Sequence, residues 1–100
     1  KFNSEYSDTK VFCGIEPQYV DKAHEADAGG DHGGIWETSY LWYLRPDCVD
    51  VSVLKRQPPF GCGSDCGEAT IEKGRRACEL MVDGMVRKAQ ELLQAASSGR

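Results

Sequence analysis

A glycine-rich segment carries the residues best suited to chemistry in this chain. It is Gly30-Asp31-His32-Gly33-Gly34, and Glu37 follows three residues later. A histidine titrates near neutral pH and can move a proton, while a nearby carboxylate can orient its imidazole or a metal ligand. Glycines let a ligand approach the backbone, where the first N–H groups of a following helix could bind an oxyanion. This pattern predicts proton transfer by His32, with Glu37 as the orienting group.

The same segment also fits a simpler interpretation. Four of the seven residues from Ala28 to Gly34 are glycines, which excludes regular structure and is typical of a tight turn. A histidine on such a turn can be exposed and idle. The residues by themselves leave both interpretations open.

Helices are predicted on either side of this segment. Residues 35–44 are apolar on most sides, which predicts a buried helix. That helix has to end before Pro46, because the residue preceding a proline avoids the helical region. Residues 18–28 have the composition of a short helix.

The remaining elements are two predicted strands and a long C-terminal helix. Residues 11–15 form a short apolar run, and residues 50–54 alternate between polar and apolar. From Glu68 to about Ser97, apolar residues recur at helical intervals and form one stripe. The other elements offer little surface for this stripe, which indicates that part of the fold lies outside this chain. Polar residues 1–10 and the Gly- and Pro-rich residues 55–66 are predicted to be loops.

Composition restricts the class of protein. The chain has 100 residues, of which 40% are apolar and 28% charged, with a formal net charge of −4. These values are typical of one globular domain or part of one, here residues 1–100. The basic residues are scattered, which argues against nucleic-acid binding, and no apolar run is long enough to span a membrane.

The cysteines predict a reducing environment. There are five, an odd number, and no secretory signal accompanies them, so we expect free thiols and a cytoplasmic location. Cys62 and Cys66 could begin a zinc site only with two further ligands, so free loop thiols are the preferred interpretation. Cys13 and Cys78 lie on apolar segments and are predicted to be small core residues.

Two separated motifs resemble the creatininase family of metal-dependent ring hydrolases. The first is Asp31-His32-Gly33-Gly34-Ile35-Trp36-Glu37-Thr38-Ser39, followed by Leu44-Arg45-Pro46-Asp47. The second is Gly67-Glu68-Ala69-Thr70-Ile71-Glu72-Lys73-Gly74, which is similar to the start of the last helix in the family. The motifs agree with the family in order and spacing, and the resemblance extends over residues 11–95.

The resemblance implies a fold and a cofactor. The fold would be a three-layer α/β/α structure with a mostly parallel sheet, an α/β class. This chain would be its C-terminal part, with two or so strands, a buried helix and a long C-terminal helix. The resemblance also implies a pair of divalent metal ions, zinc or manganese, that activate a water molecule, and a homo-oligomer, often a hexamer.

The resemblance implies roles for individual residues as well. His32 would donate or accept a proton, and Glu37 would orient a neighbouring group. The substrate pocket would be formed by Ala28, Gly29, Gly30, Asp31, Gly33 and Gly34. Ala28 stands where creatininase has a tryptophan, and Gly33 stands where alanine is commoner, so creatinine itself is an unexpected substrate. The helix with Trp36 and Trp42 is most similar to the keto-inositol ring hydrolase branch.

The metal-binding motifs of the family are missing from this chain. It has no Glu-x-His and no His-Gly-x-Glu. The metal ligands would therefore come from an N-terminal part of the protein, present as a separate or missing segment. We predict part of a metal-dependent hydrolase that opens a cyclic amide or cyclic ketone, inactive as an isolated chain. The alternative is a catalytically inactive, truncated relative with a structural or oligomeric role.

Overall fold

The computed structural model describes residues 2–6, 8–14 and 31–99, and the described residues are 65% helical. The α-helices are α1 (Phe2–Glu5), α2 (Ile35–Leu44) and α3 (Ile71–Ser98). Short 3₁₀ helices lie between α2 and α3 and span Pro46–Cys48, Val51–Lys55 and Cys66–Glu68. The predicted three-layer α/β/α fold is wrong for this part of the chain, because none of the described residues lies in a strand.

The strand predicted at residues 50–54 is a 3₁₀ helix, Val51–Lys55. Its cause is Asp50, whose Oδ1 accepts hydrogen bonds from the amide of Ser52 at 2.9 Å and from its hydroxyl at 2.5 Å. An aspartate that bonds to the backbone two residues ahead closes a turn. Here this local turn overrides the alternating pattern that predicted a strand.

The strand predicted at residues 11–15 is also wrong over its described part, because residues 11–14 have no regular structure. The side-chain amide of Asn3 occupies both backbone groups of Val11, which donates to Oδ1 at 2.8 Å and accepts from Nδ2 at 2.7 Å. These are the groups that a neighbouring strand would need. Cys13 is exposed rather than in the core, and Ile15 and the helix predicted at 18–28 lie outside the described residues.

Helix α2 is confirmed, and it ends at Leu44, before Pro46 as predicted. It is less buried than predicted: Ile35 and Ser39 are its buried residues, whereas Leu44 is 62% exposed. Beyond its end, the guanidinium of Arg45 donates to both carboxylate oxygens of Asp47, at 2.9 and 2.6 Å. This ion pair holds the pKa of Asp47 below its usual value.

Helix α3 is the long C-terminal helix that the apolar stripe predicted, with 28 residues. It begins after Thr70, whose side-chain oxygen accepts a hydrogen bond from the amide of Lys73 at 3.0 Å. Such an N-cap satisfies a backbone donor that has no partner within the helix. On its buried face lie small residues, namely Gly74, Ala77, Cys78 and Gly84.

The two long helices cross at Ser39 of α2 and Gly74 of α3. Ser39 is 0% exposed, and its hydroxyl accepts a hydrogen bond from the amide of Thr70 at 3.0 Å. A Cβ atom on Gly74 would overlap the carbonyl oxygen of Ser39, so the helix backbones approach as closely as glycine allows. This crossing fixes where the N-terminal end of α2 lies. Among the helices of the described ranges, none combines the length and apolar character needed to cross a membrane.

Candidate functional site

His32 lies on a turn that directly precedes α2, within residues 31–34, which we call the histidine loop. Its side chain is exposed. Gly34 donates its amide hydrogen to the carbonyl oxygen of Asp31 at 3.2 Å, which closes the turn. Gly33 has a φ of 57°, in the left-handed region that favours glycine. The glycines beside His32 are therefore needed to reverse the chain at this turn.

Two aspartates cap the N-terminal end of α2. Asp31 accepts hydrogen bonds from the amides of Trp36, at 3.0 Å, and Glu37, at 2.5 Å. Asp65 accepts a hydrogen bond at 3.2 Å from the amide of Ile35, which lies 30 residues before it in the chain. Carboxylates are favourable there, since they satisfy unpaired donors and oppose the positive end of the helix dipole.

Glu37 contacts the backbone of the histidine loop. Its Oε2 accepts a hydrogen bond from the amide of Gly33 at 2.7 Å, while the hydroxyl of Thr38 donates to the carbonyl oxygen of Gly33 at 3.2 Å. No side chain of the described residues is hydrogen-bonded to the imidazole of His32. In this arrangement Glu37 orients the turn that carries His32, instead of the imidazole itself.

These bonds also occupy the backbone donors that sequence reasoning assigned to an oxyanion. Every amide from Gly33 to Glu37 donates within the protein, to Asp31, Glu37 or Asp65. An anionic ligand would have to displace one of these acceptors before it could bind a backbone N–H. The histidine loop therefore exposes the His32 side chain to solvent. The backbone amides of the loop and of the first turn of α2 stabilise the loop and are not free to bind a ligand.

A second loop, residues 61–66, packs against the histidine loop; we call it the cysteine loop. The amide of Gly63 donates to the carbonyl oxygen of His32 at 2.7 Å. A Cβ atom on Gly63 would lie 2.8 Å from Cα of Gly34, and one on Gly33 would lie 2.9 Å from Cβ of Cys62. The two loops thus touch through their backbones, and this contact fixes the position of His32.

Sequence reasoning missed the cysteine loop as part of the site. Asp65 and Gly63 belong to residues 55–66, whose glycines and prolines predict a loop, and they lie about thirty residues from the histidine loop. The glycines on both sides of Cys62 do signal a close backbone approach. Nothing in their spacing identifies the segment that they approach.

Of the predicted site residues, the structure brings together Asp31, His32, Gly33, Gly34 and Glu37. The other predicted pocket residues lie outside the described ranges, and they are Ala28, Gly29 and Gly30. A cavity of about 260 Å³ borders Gly33, and its lining includes Cys48, Leu54, Cys62 and Cys66 but not His32. This cavity is a neighbour of the site rather than the place where His32 would meet a substrate.

The described residues do not fit the metal pair that the family resemblance implies. Within residues 2–6, 8–14 and 31–99, no three side chains of the His, Cys, Asp or Glu type are placed to hold a metal ion. Asp31, Glu37 and Asp65, the carboxylates at the histidine loop, already accept hydrogen bonds from backbone amides. A dinuclear site needs several carboxylate and imidazole ligands in one place.

Comparison with known proteins identified no relative of this chain. No family model matches the chain, and no significant match was found among curated proteins or solved structures. The similarity to the creatininase family therefore depends on the two sequence motifs alone.

Proposed function

We propose that this chain supplies the proton-transferring histidine of a creatininase-like hydrolase, which opens a small cyclic amide or cyclic ketone. The observation that carries the proposal is the state of His32. Its side chain is exposed, while the backbone on both sides of it is held by hydrogen bonds. General acid–base catalysis requires a side chain that is accessible to the substrate and already positioned.

The fixed backbone results from three separate contacts. Gly63 donates to the carbonyl oxygen of His32, Gly33 donates to Glu37, and Gly34 donates to Asp31. A turn that served only to reverse the chain would need just one of these bonds, the one from Gly34 to Asp31. The additional contacts, one of them from a distant loop, support a role in which the position of His32 matters.

The meeting of the two motifs is a second support. Ser39 ends the first motif, and Thr70 and Gly74 belong to the second. They meet at the crossing of α2 and α3, where Thr70 donates to the Ser39 hydroxyl. In our proposal these residues hold α2 in place, and His32 at its N-terminal end does the chemistry.

The reaction is a hydrolytic ring opening. Water adds its hydroxyl group to the ring carbonyl carbon, and the bond from this carbon to the ring nitrogen breaks. His32, in its protonated form, gives its proton to the leaving nitrogen; in a cyclic ketone the leaving atom is a ring carbon. The imidazole then regains a proton from the water that attacked, so hydrogens and charge balance. A pair of metal ions would need ligands from outside the described residues, which contain no group of three side chains that could hold one.

A substrate panel tests this proposal. The full-length source protein, supplemented with zinc or manganese, would be incubated with five- and six-membered cyclic amides and with cyclic ketones, including keto-inositols. Ring opening would be followed by chromatography and mass. We expect turnover of at least one class, and a loss of ~10²–10⁴ in kcat for His32→Ala. His24→Ala, at the other histidine of these 100 residues, is the matched control and should keep the activity.

Two results would overturn the proposal. One is the absence of ring opening throughout the panel in metal-supplemented protein. The other is a His32→Ala variant that turns substrate over as fast as the unchanged protein does.

A structural role without catalysis is the second candidate function. It is favoured by the occupied amides of the histidine loop and by the lack of a metal-ligand group among the described residues. Metal analysis of the purified full-length protein separates the two. About two metal ions per protomer would favour the hydrolase, and a folded, metal-free protein without activity would favour the structural role.

A further inference from the structure

The cysteine loop contains two thiols that face each other. Cys62 donates a hydrogen bond to the sulfur of Cys66, with 3.9 Å between the two sulfur atoms. A disulfide bond is about 2.05 Å long, so the two sulfurs would have to approach by roughly 2 Å. We propose that Cys62 and Cys66 form a reversible disulfide bond that is made and broken within this loop. The bond does not require His32 to be catalytic.

The loop between the two cysteines allows this approach. Residues 63–65 have no α-helix or strand, and Gly61 and Gly63 flank Cys62. Gly61 has a φ of 74°, and a Cβ atom there would meet no other atom within 4 Å. The chain therefore has space to adjust at Gly61, immediately before Cys62, while Cys66 stays in place.

The surroundings give the two thiols different roles. Cys62 is exposed, whereas Cys66 is 6% exposed and begins the 3₁₀ helix Cys66–Glu68. Burial is the largest cause that raises the pKa of Cys66, followed by its hydrogen bond with Cys62. The thiolate is the nucleophile in thiol oxidation, so an exposed cysteine reacts first with a dissolved oxidant. Cys62 is therefore the attacking thiol and Cys66 the resolving one.

The chemistry balances with hydrogen peroxide as the oxidant. The Cys62 sulfur attacks one peroxide oxygen, the O–O bond breaks, and the leaving hydroxide takes up a proton, which gives a sulfenic acid and water. The sulfur of Cys66 then attacks the Cys62 sulfur and displaces hydroxide, which takes the Cys66 proton and leaves as water. The two thiols together lose two electrons, and the peroxide is reduced to two water molecules.

Cys48 is the other cysteine that could form a disulfide bond with Cys62 in place of Cys66. It lines the same cavity of about 260 Å³ as Cys62 and Cys66. Its thiol, however, is directed to the carboxylate of Asp47, with a sulfur–oxygen distance of 3.8 Å. The direct contact of Cys62 with Cys66 favours a bond within the loop over one to Cys48.

The bond would act on the histidine loop through existing contacts. Cys62 Cβ packs against Gly33. The amide of the neighbouring Gly63 donates a hydrogen bond to the carbonyl oxygen of His32. A shift of Cys62 toward Cys66 therefore moves the residue that contacts the turn carrying His32.

Peptide mapping tests the proposal in the intact chain. Trypsin releases a peptide, residues 57–73, that contains Cys62 and Cys66 and no other cysteine. The reduced protein would be treated with limiting peroxide, alkylated with N-ethylmaleimide and digested. We expect this peptide to carry no alkyl group and to be lighter by two hydrogen atoms than the reduced peptide. Treatment with dithiothreitol before alkylation should restore two modified cysteines.

Two cysteine variants identify the residue to which Cys62 is bonded. Cys48→Ser should leave the internal bond unchanged, whereas Cys66→Ser should abolish it and leave Cys62 as a sulfenic acid that dimedone traps. The unchanged protein decides the question even if a variant fails to fold. The proposal is overturned if peptide 57–73 stays doubly alkylated when exposed Cys13 and Cys48 are oxidised. A cross-link from this peptide to the peptide with Cys48 would overturn it as well.

Discussion

Gly74 of α3 lies directly against the carbonyl oxygen of Ser39 on α2. The two helices are in close backbone contact here, because a Cβ atom at residue 74 would overlap this oxygen and also lie 3.0 Å from Cβ of Tyr43. Ser39 is fully buried beneath the crossing and accepts a hydrogen bond from Thr70. The position of the N-terminal end of α2, and with it the histidine loop, depends on this pair of residues.

Replacing Gly74 by alanine should therefore destabilise the protein. The added methyl group meets backbone atoms, which cannot rotate away, so the helices have to separate. We expect a loss of about 3 kcal/mol in the free energy of unfolding, typical of severe overpacking, although alanine by itself favours a helix by ~1 kcal/mol. Urea denaturation followed by circular dichroism measures this change.

The matched control is Gly99→Ala at the end of the same helix. A Cβ atom there would lie 3.6 Å from the carbonyl oxygen of Ala95, an ordinary contact. This variant should unfold within about 0.5 kcal/mol of the unchanged protein. Equal stability of the two variants would show that the helices do not cross at Gly74.

A second prediction concerns the aspartate that caps α2. Asp31→Ala removes the acceptors of two amides, those of Trp36 and Glu37, and should cost ~1–2 kcal/mol in the free energy of unfolding. Asp83→Ala, at an exposed position in the middle of α3, is the control and should change stability by less than about 0.5 kcal/mol. Thermal unfolding of both variants checks this, and an Asp31→Ala protein as stable as the control would contradict the capping role.

The pH dependence of stability should report on Cys78. Burial raises the pKa of its thiol, so the folded protein holds this proton more tightly than the unfolded chain does. The resulting stabilisation is present below the ordinary thiol pKa of ~8.5 and is lost as the pH rises through the raised value. Cys78→Ala should therefore lose less stability than the unchanged protein between about pH 8 and pH 10.

Urea unfolding under reducing conditions at several pH values would measure this difference. Met81→Ala is the control, because it shortens a half-buried side chain of the same helix without removing a titrating group. It should keep the pH dependence of the unchanged protein. If Cys78→Ala also keeps it, the thiol is not responsible for the alkaline loss of stability.

The helices were the predictable part of the fold. The apolar stripe of α3 and the proline after α2 are local signals, and both helices lie within a few residues of their predicted bounds. Thr70 was not predicted to start α3, yet a threonine before a helical pattern is a common N-cap. Periodicity and the proline were sufficient to predict both helices.

The two strand predictions were wrong where a side chain takes up the backbone hydrogen-bonding groups that a sheet would need. Asp50 closes a turn, and Asn3 occupies both backbone groups of Val11, so neither apolar segment is available as a strand. The histidine loop was predicted from its glycines. Its contact with Gly63 and Asp65 was not, because a hydrogen bond across about thirty residues leaves no trace in local spacing.

Chemical rescue of a His32 variant tests the central claim most directly. The side chain of His32 is exposed, so imidazole from solution can reach the space left in His32→Ala. We predict that kcat falls by ~10²–10⁴ and that added imidazole restores part of it, because the small molecule replaces the lost proton donor. An undiminished kcat, or a reduced kcat that does not respond to imidazole, would contradict proton transfer by His32.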